Sequence, residues 1–71
     1  MGLHSIANNI LSEAGYNWHY DYEWYNQSVV PKVRFNTVGN RNHAFKVLKE
    51  SGRFRPSKQG KRVIAFLSYR H

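Results

Sequence analysis

The sequence contains no cysteine, a single methionine, two prolines and only four carboxylates: Glu13, Asp21, Glu23 and Glu50. Without cysteine there are no disulfides and no thiolate metal ligands, and a reducing compartment is permitted. Three of the four acids sit in the first 31 residues, and no group of them is placed to hold magnesium. No apolar run approaches the ~18 residues of a membrane-spanning helix. The opening Met1-Gly2-Leu3-His4-Ser5 lacks the basic start and apolar stretch of a secretion signal. Position 6 is Ile where a myristoylation signal wants Ser or Thr. Neither candidate helix opposes a Lys/Arg-rich face to a bulky apolar one, as a membrane-surface helix would. The expectation is a cytoplasmic chain with no membrane partner.

Phosphate-binding G-x-x-x-x-G-K and nucleophile-elbow G-x-S-x-G patterns are also missing. The four histidines, His4, His19, His43 and His71, are never closer than fifteen positions. Zinc ligands in short chains come in pairs two to five apart, so no metal or other cofactor is expected. Metal-free RNA cleavage would need a histidine general base beside a cation. His43 near Arg41 and Lys46, and His19 opposite Arg34, are the candidates, and nothing fixes their mutual geometry. No catalytic residue is assigned, and the chain is read as a non-enzyme, with a metal-independent ribonuclease as the weakest alternative.

One further absence is positional. Residues 1–31 contain no Lys or Arg and carry Glu13, Asp21 and Glu23, a formal charge of −3. Residues 32–71 carry all eleven Lys and Arg against Glu50, a charge of +10, and the whole chain stands at +7. So one-sided a distribution creates a local field that attracts polyanions.

What is present suits one small domain spanning residues 1–71. A chain of this size buries only roughly 60% of its unfolded surface, so the core must be dense in large side chains. Two Trp, five Tyr and four Phe supply them. Leu3, Ile6, Ala7, Ile10, Leu11 and Ala14 follow helical spacing, and so do Ala44, Val47, Leu48 and Ser51. Asn40 is the expected N-cap of the second helix and Gly52 its C′ residue. Offset by 37 positions, Ala7–Gly15 aligns with Ala44–Gly52, matching at Ala, Leu, Glu and Gly. Short amphipathic helices resemble one another without common origin, but the match raises an internal αββ repeat with halves 3–38 and 40–70.

Tyr16, Trp18, Tyr20, Tyr22 and Trp24 alternate with polar residues, which predicts one strand with all five rings on one face. Asn26-Gln27 is the expected turn, with Val29, Pro31, Val33, Phe35 and Thr37 alternating on the return strand. That register sets Trp24 opposite Val29, Tyr22 opposite Pro31, Tyr20 opposite Val33 and Trp18 opposite Phe35. On the other face it pairs Asp21 with Lys32 and His19 with Arg34. Pro31 cannot donate to a ladder, so this strand should be an edge there, or its proline should face away from the partner. Phe54 and Pro56 precede a polar turn, Ser57 to Lys61, and Val63 to Tyr69 form the last strand. The predicted fold is α+β, in the order α-β-β-α-β-β. It is a four-stranded, mainly antiparallel sheet with both helices on one face.

Aromatic rings on a sheet can stack bases, but this acidic strand repels phosphate, so its rings are assigned to the core. The basic half carries the expected binding surface. If Val63, Ala65, Leu67 and Tyr69 face the helices, then Arg62, Ile64, Phe66, Ser68 and Arg70 face outward. Arg53, Arg55, Lys32 and Arg34 would join them, leaving Phe66 as a stacking ring among guanidinium groups. The turn around Lys58, Gly60, Lys61 and Arg62 adds a phosphate clamp. Arg41, Lys46 and Lys49 extend the field along the second helix, whose N-terminus at Gly39–Arg41 suits a phosphate.

These residues predict a small nucleic-acid-binding protein that is mainly phosphate-directed. Phe66 tilts it toward single strands or RNA over duplex DNA. The alternative is an inhibitor or adaptor that docks on an acidic surface of a larger protein. Either leaves room for a homodimer.

Overall fold

The computed structural model describes residues 2–25 and 29–69, the last two by their backbone alone. Helix α1 spans Leu3–Glu13, β1 Tyr22–Trp24, β2 Lys32–Phe35, α2 Val38–Glu50, β3 Phe54–Gln59 and β4 Val63–Tyr69. The element order is the predicted α-β-β-α-β-β. The four strands form one sheet in the order β1-β2-β4-β3, antiparallel at every junction.

Each helix ends as its glycine demands. The C-caps are Ala14 and Ser51, and the glycines that follow, Gly15 and Gly52, adopt φ of +98° and +76°. Only glycine enters that left-handed region without steric cost, so the chain leaves both helices at a defined point. The N-cap of α2 is Thr37 instead of Asn40: its hydroxyl accepts from the Asn40 amide at 3.1 Å. Thr37 wins because it lies three residues before that orphan amide in extended backbone, the geometry a cap requires. The 37-residue offset holds at the helix ends but not beyond, since β1 begins at Tyr22 whereas β3 follows its helix closely at Phe54.

The inner face of the sheet meets both helices. Tyr22 and Trp24 of β1, Val33 and Phe35 of β2, Ile64 and Phe66 of β4, and Phe54 of β3 pack with Ala7, Leu11, Ala44 and Leu48. Trp24 stacks on Phe66 at 5.4 Å between ring centroids, and Phe54 meets Phe66 edge-on at 5.1 Å. Asn8 ties α1 to this layer: its side-chain oxygen accepts from the Tyr22 hydroxyl at 2.6 Å and the Trp24 indole at 3.0 Å. Burial, and then the charge of Asp21, pushes the Tyr22 pKa up to about 12, which keeps this donor protonated.

Four expectations need correction. The aromatic run is not one strand. Its first part folds into a turn in which the Asn17 carbonyl accepts from the amides of Tyr20 and Asp21. The Asp21 carboxylate accepts in return from the Asn17 amide at 2.8 Å. His19 sits at φ +75° in this turn, a conformation that costs a non-glycine residue about 1–3 kcal/mol and ends strand alternation there. Trp18 is therefore 47% exposed and stacked on the His19 ring, and Tyr20 is 79% exposed. Asn36 holds the turn against β2, its side chain donating to the Tyr20 carbonyl and its amide to that of Asp21.

The first hairpin pairs differently. Tyr22 lies opposite Phe35 instead of Pro31, a slip of four positions. An even slip changes every partner but leaves every side chain on its face. The expected turn at Asn26-Gln27 lies outside the described residues.

Strand β2 is central, and Pro31 precedes it, with its carbonyl accepting from the Phe66 amide at 2.9 Å. Opposite Phe66 the proline can accept but not donate, so the β2–β4 ladder ends at Lys32.

Strand β4 runs in the opposite phase to the one predicted, with Ile64 and Phe66 inward and Leu67 59% exposed. The larger pair fills the core, while Val63, Ala65 and Leu67 take the open side. The polar stretch Ser57 to Gln59 is strand, and the turn of this hairpin is confined to Gly60, Lys61 and Arg62.

Candidate nucleic-acid interface

Both helices cover one face of the sheet, and the other face is open. Alternation sets its content. Glu23 of β1 and Lys32 and Arg34 of β2 point there because Tyr22, Trp24, Val33 and Phe35 point inward. Across the sheet, Glu23 pairs with Arg34, Arg34 with Val63, and Val63 with Gln59. In the next row Lys32 pairs with Ala65 and Ala65 with Ser57, and the Tyr25 amide donates to the Lys32 carbonyl at 2.9 Å. Arg55, between inward Phe54 and Pro56, reaches the same face one step further on. Neighbouring strands lie about 4.8 Å apart. The small residues of β4 thus make a low floor between Lys32 and Arg34 on one side and Arg55, Ser57 and Gln59 on the other.

At one end of this floor stands the β3–β4 turn with Lys61 and Arg62, both exposed. Arg62 Nη1 donates to the Asn36 carbonyl at 3.2 Å, which holds the turn beside the end of β2. Passing along the strands, the open side carries Lys61 and Arg62, then Arg34, then Lys32, then Arg55. Among the described residues the one close contact between a basic and an acidic side chain is the hydrogen bond of His19 Nδ1 with Glu23 Oε1, at 2.7 Å. None of the cations of this track has a carboxylate partner among them.

Other predicted cations lie elsewhere. Lys46 and Lys49 are exposed on α2, and Arg53 is exposed in the loop before β3. Lys58 points to the helix side, its ammonium 5.0 Å from the centre of the Phe45 ring. The side chain of Arg70 lies outside the described residues.

Two assignments are overturned. Phe66 is 2% exposed, locked between Trp24 and Phe54, and cannot stack on a base. Arg41 is 6% exposed, and its Nη1 donates to the carbonyls of Gly60 and Val63 at 3.2 Å each. It is a strut that fastens the hairpin turn to α2. Of the amides expected to receive a phosphate at the start of α2, two are also engaged. Asn40 donates to Thr37 Oγ1 and Arg41 to the Thr37 carbonyl.

The histidine candidates do not assemble either. His43 lies 2.6 Å from the Tyr16 hydroxyl through Nδ1, on a different side of α2 from the Arg41 guanidinium. Burial, with a smaller contribution from Asp21, raises the Tyr16 pKa, so that hydroxyl keeps its proton. Glu23 instead of His19 lies opposite Arg34. No group of three or more potential metal ligands occurs among the described residues, and no helix there is long and apolar enough to cross a membrane.

Of the two tyrosines at the hairpin end for which the sequence leaves exposure open, Tyr22 is buried and Tyr25, not counted among the expected binding residues, is 42% exposed at the edge of the open face. With Glu23, Arg34 and Trp24 it lines a shallow depression of about 260 Å³. Tyr25 continues the polar phase of β1, and that phase was the available signal. Comparisons with protein-family models, curated proteins and solved structures find no match to this chain.

Proposed function

We propose that this protein binds nucleic acid through its open sheet face, mainly by contacts to phosphate. The observation that carries the reading is the track of cations Lys61, Arg62, Arg34, Lys32 and Arg55, without carboxylate partners among the described residues. Arg34 and Lys32, two apart on β2, stand about 6.6–6.8 Å from each other, and Arg55 lies two strands away on β3, so the cations flank the β4 floor and meet a polyanion lying along it from both sides. Lys46, Lys49 and Arg53 strengthen the attraction from outside the contact. Acids are confined to α1, the 17–21 turn, β1 and Glu50, so the field points the polyanion toward β2, β4 and β3.

Tyr25 takes over from Phe66 as the exposed ring beside this track, and it supports single strands or RNA over duplex DNA. The test is fluorescence anisotropy with labelled mixed-sequence single-stranded RNA, single-stranded DNA and a duplex at low salt. Binding of the single strands is expected to be tightest. No binding to any of the three at low salt contradicts the reading.

A second reading draws on Leu67, whose 59% exposure puts an apolar side chain on the same face. An inhibitor or adaptor docking on an acidic protein would use it beside Arg55. Nucleic acid carried through purification, seen in the ratio of absorbance at 260 to 280 nm, favours the first reading. A stoichiometric protein favours the second. Neither reading includes a catalytic step. EDTA-resistant cleavage of RNA that disappears in His43→Ala would contradict both.

A further inference from the structure

A carboxylate on a phosphate-binding face weakens attraction for the backbone, yet Glu23 stands on that face directly opposite Arg34. The depression these two line with Tyr25 and Trp24 accounts for it. We propose that this depression takes one unpaired guanine base, so that a largely sequence-blind interface reads a single position. The inference rests on the sheet face being a nucleic-acid interface.

The two side chains would select a base by its edge. Cross-strand neighbours hold their Cβ atoms about 4.5–5.5 Å apart, so a carboxylate and a guanidinium reach out side by side over the depression. Guanine presents two adjacent donors, N1–H and N2–H, next to the acceptor O6. The carboxylate of Glu23 accepts the two donors while Arg34 donates to O6, with N7 beyond it. Uracil and thymine have one donor between two carbonyl oxygens, and one of those oxygens would face the carboxylate. Adenine and cytosine set a ring-nitrogen acceptor beside their amino group, again toward the carboxylate, and adenine has no carbonyl for Arg34. Only the guanine edge satisfies both side chains.

The walls fit a flat aromatic ligand. Tyr25 follows Glu23 on the same side of β1, and its half-exposed ring can stack on the base. Trp24 is anchored beneath by its bond to Asn8 and its stack on Phe66, so that side of the depression does not collapse. His19 Nδ1 bonds Glu23 Oε1 at 2.7 Å and orients the carboxylate. A carboxylate has about four acceptor positions, so this bond leaves enough for the base.

The experiment compares two labelled RNA strands of equal length at one salt concentration. One is all uridine, and the other carries isolated guanosines in the same background. Wild-type protein is expected to bind the guanosine strand roughly tenfold more tightly, within the range a good two-point base contact provides. Replacing each guanosine by inosine, which lacks the N2 amine, should remove part of that preference without any change to the protein. Glu23→Ala should abolish the preference while holding or tightening binding to the uridine strand, because a repelling charge has gone. Glu23 is exposed, so an unchanged melting temperature is expected to accompany this. Equal affinity of wild type for the two strands overturns the guanine site and leaves the phosphate reading intact. A guanosine preference that survives Glu23→Ala also overturns it. Failure to bind either strand at low salt overturns both.

Discussion

The two faces of this sheet are built from the same strands and share almost no chemistry. Ile64 and Phe66 alternate with Val63, Ala65 and Leu67 along β4, yet the first pair meets the helices while Leu67 is exposed on the other side, where Ala65 is covered between Lys32 and Ser57. On β2, Val33 and Phe35 are buried while Lys32 and Arg34 stand on the open side. The closed face concentrates area and aromatic contact, and the open face concentrates unpaired charge. Under the proposed function, stability and binding divide by the parity of a residue number, and substitutions on neighbouring positions should separate them.

The largest effect is expected on the closed face. Phe66→Ala removes a ring held between Trp24 and Phe54 and should cost ~3–5 kcal/mol in denaturant unfolding. Leu67→Ala, one residue along, should change stability by no more than about 0.5 kcal/mol. A larger loss at Leu67 than at Phe66 would mean that β4 is phased the other way.

Next comes the strut between the helix and the hairpin. Arg41→Ala deletes the donor to the Gly60 and Val63 carbonyls. Charged hydrogen bonds of this kind contribute about 1.5–3 kcal/mol, so a loss of that order is expected. Amide hydrogen exchange should quicken around Gly60 to Arg62. A stable variant whose only defect is weaker RNA binding would return Arg41 to the interface.

Alkaline pH probes the closed face through Tyr22. An unfolded tyrosine ionises near pH 10 and the folded Tyr22 near about 12, so between these values the unfolded chain has lost a proton that the folded one keeps. Stability from this group is complete below pH 10 and falls as pH rises to 12. Tyr22→Phe should flatten that decline, at the cost of the bond to Asn8 at neutral pH. A pH profile identical to wild type would contradict the assignment.

The smallest effect is expected at Trp18. Being half-exposed and stacked only on its neighbour His19, it should lose no more than about 1 kcal/mol on Trp18→Ala. A loss of the size predicted for Phe66 would place it in the core after all.

The helices and the element order were readable because their signals are local: apolar spacing and a glycine just past each end. Two failures have physical causes. Period-two aromatics from Tyr16 to Trp24 read as one strand, but Asn17 and Asp21 close a turn that keeps the alternation in sequence while bending the chain. Apolar residues fill every position from Val63 to Leu67, so periodicity cannot phase β4, and side-chain volume decides instead. Phe66 moved from the interface to the core for that reason. Arg41 was lost because a cation that serves a backbone carbonyl looks the same in sequence as one that serves a phosphate. Lys32 and Arg34 stayed where they were expected because an even slip in register preserves the face, and Arg55 because its neighbours Phe54 and Pro56 turn inward.

The central claim is that the open face binds phosphate, and the salt dependence of binding tests it most directly. Affinity for a single-stranded RNA would be measured over a range of salt for wild type and for the combined Lys32→Ala, Arg34→Ala, Arg55→Ala variant. Each neutralised phosphate of a single strand adds about 0.7 to the slope of log affinity against log salt. The account predicts a steep wild-type slope, reduced by roughly 2 in the variant at unchanged melting temperature. A variant slope equal to that of wild type, or a flat response in both, would contradict it.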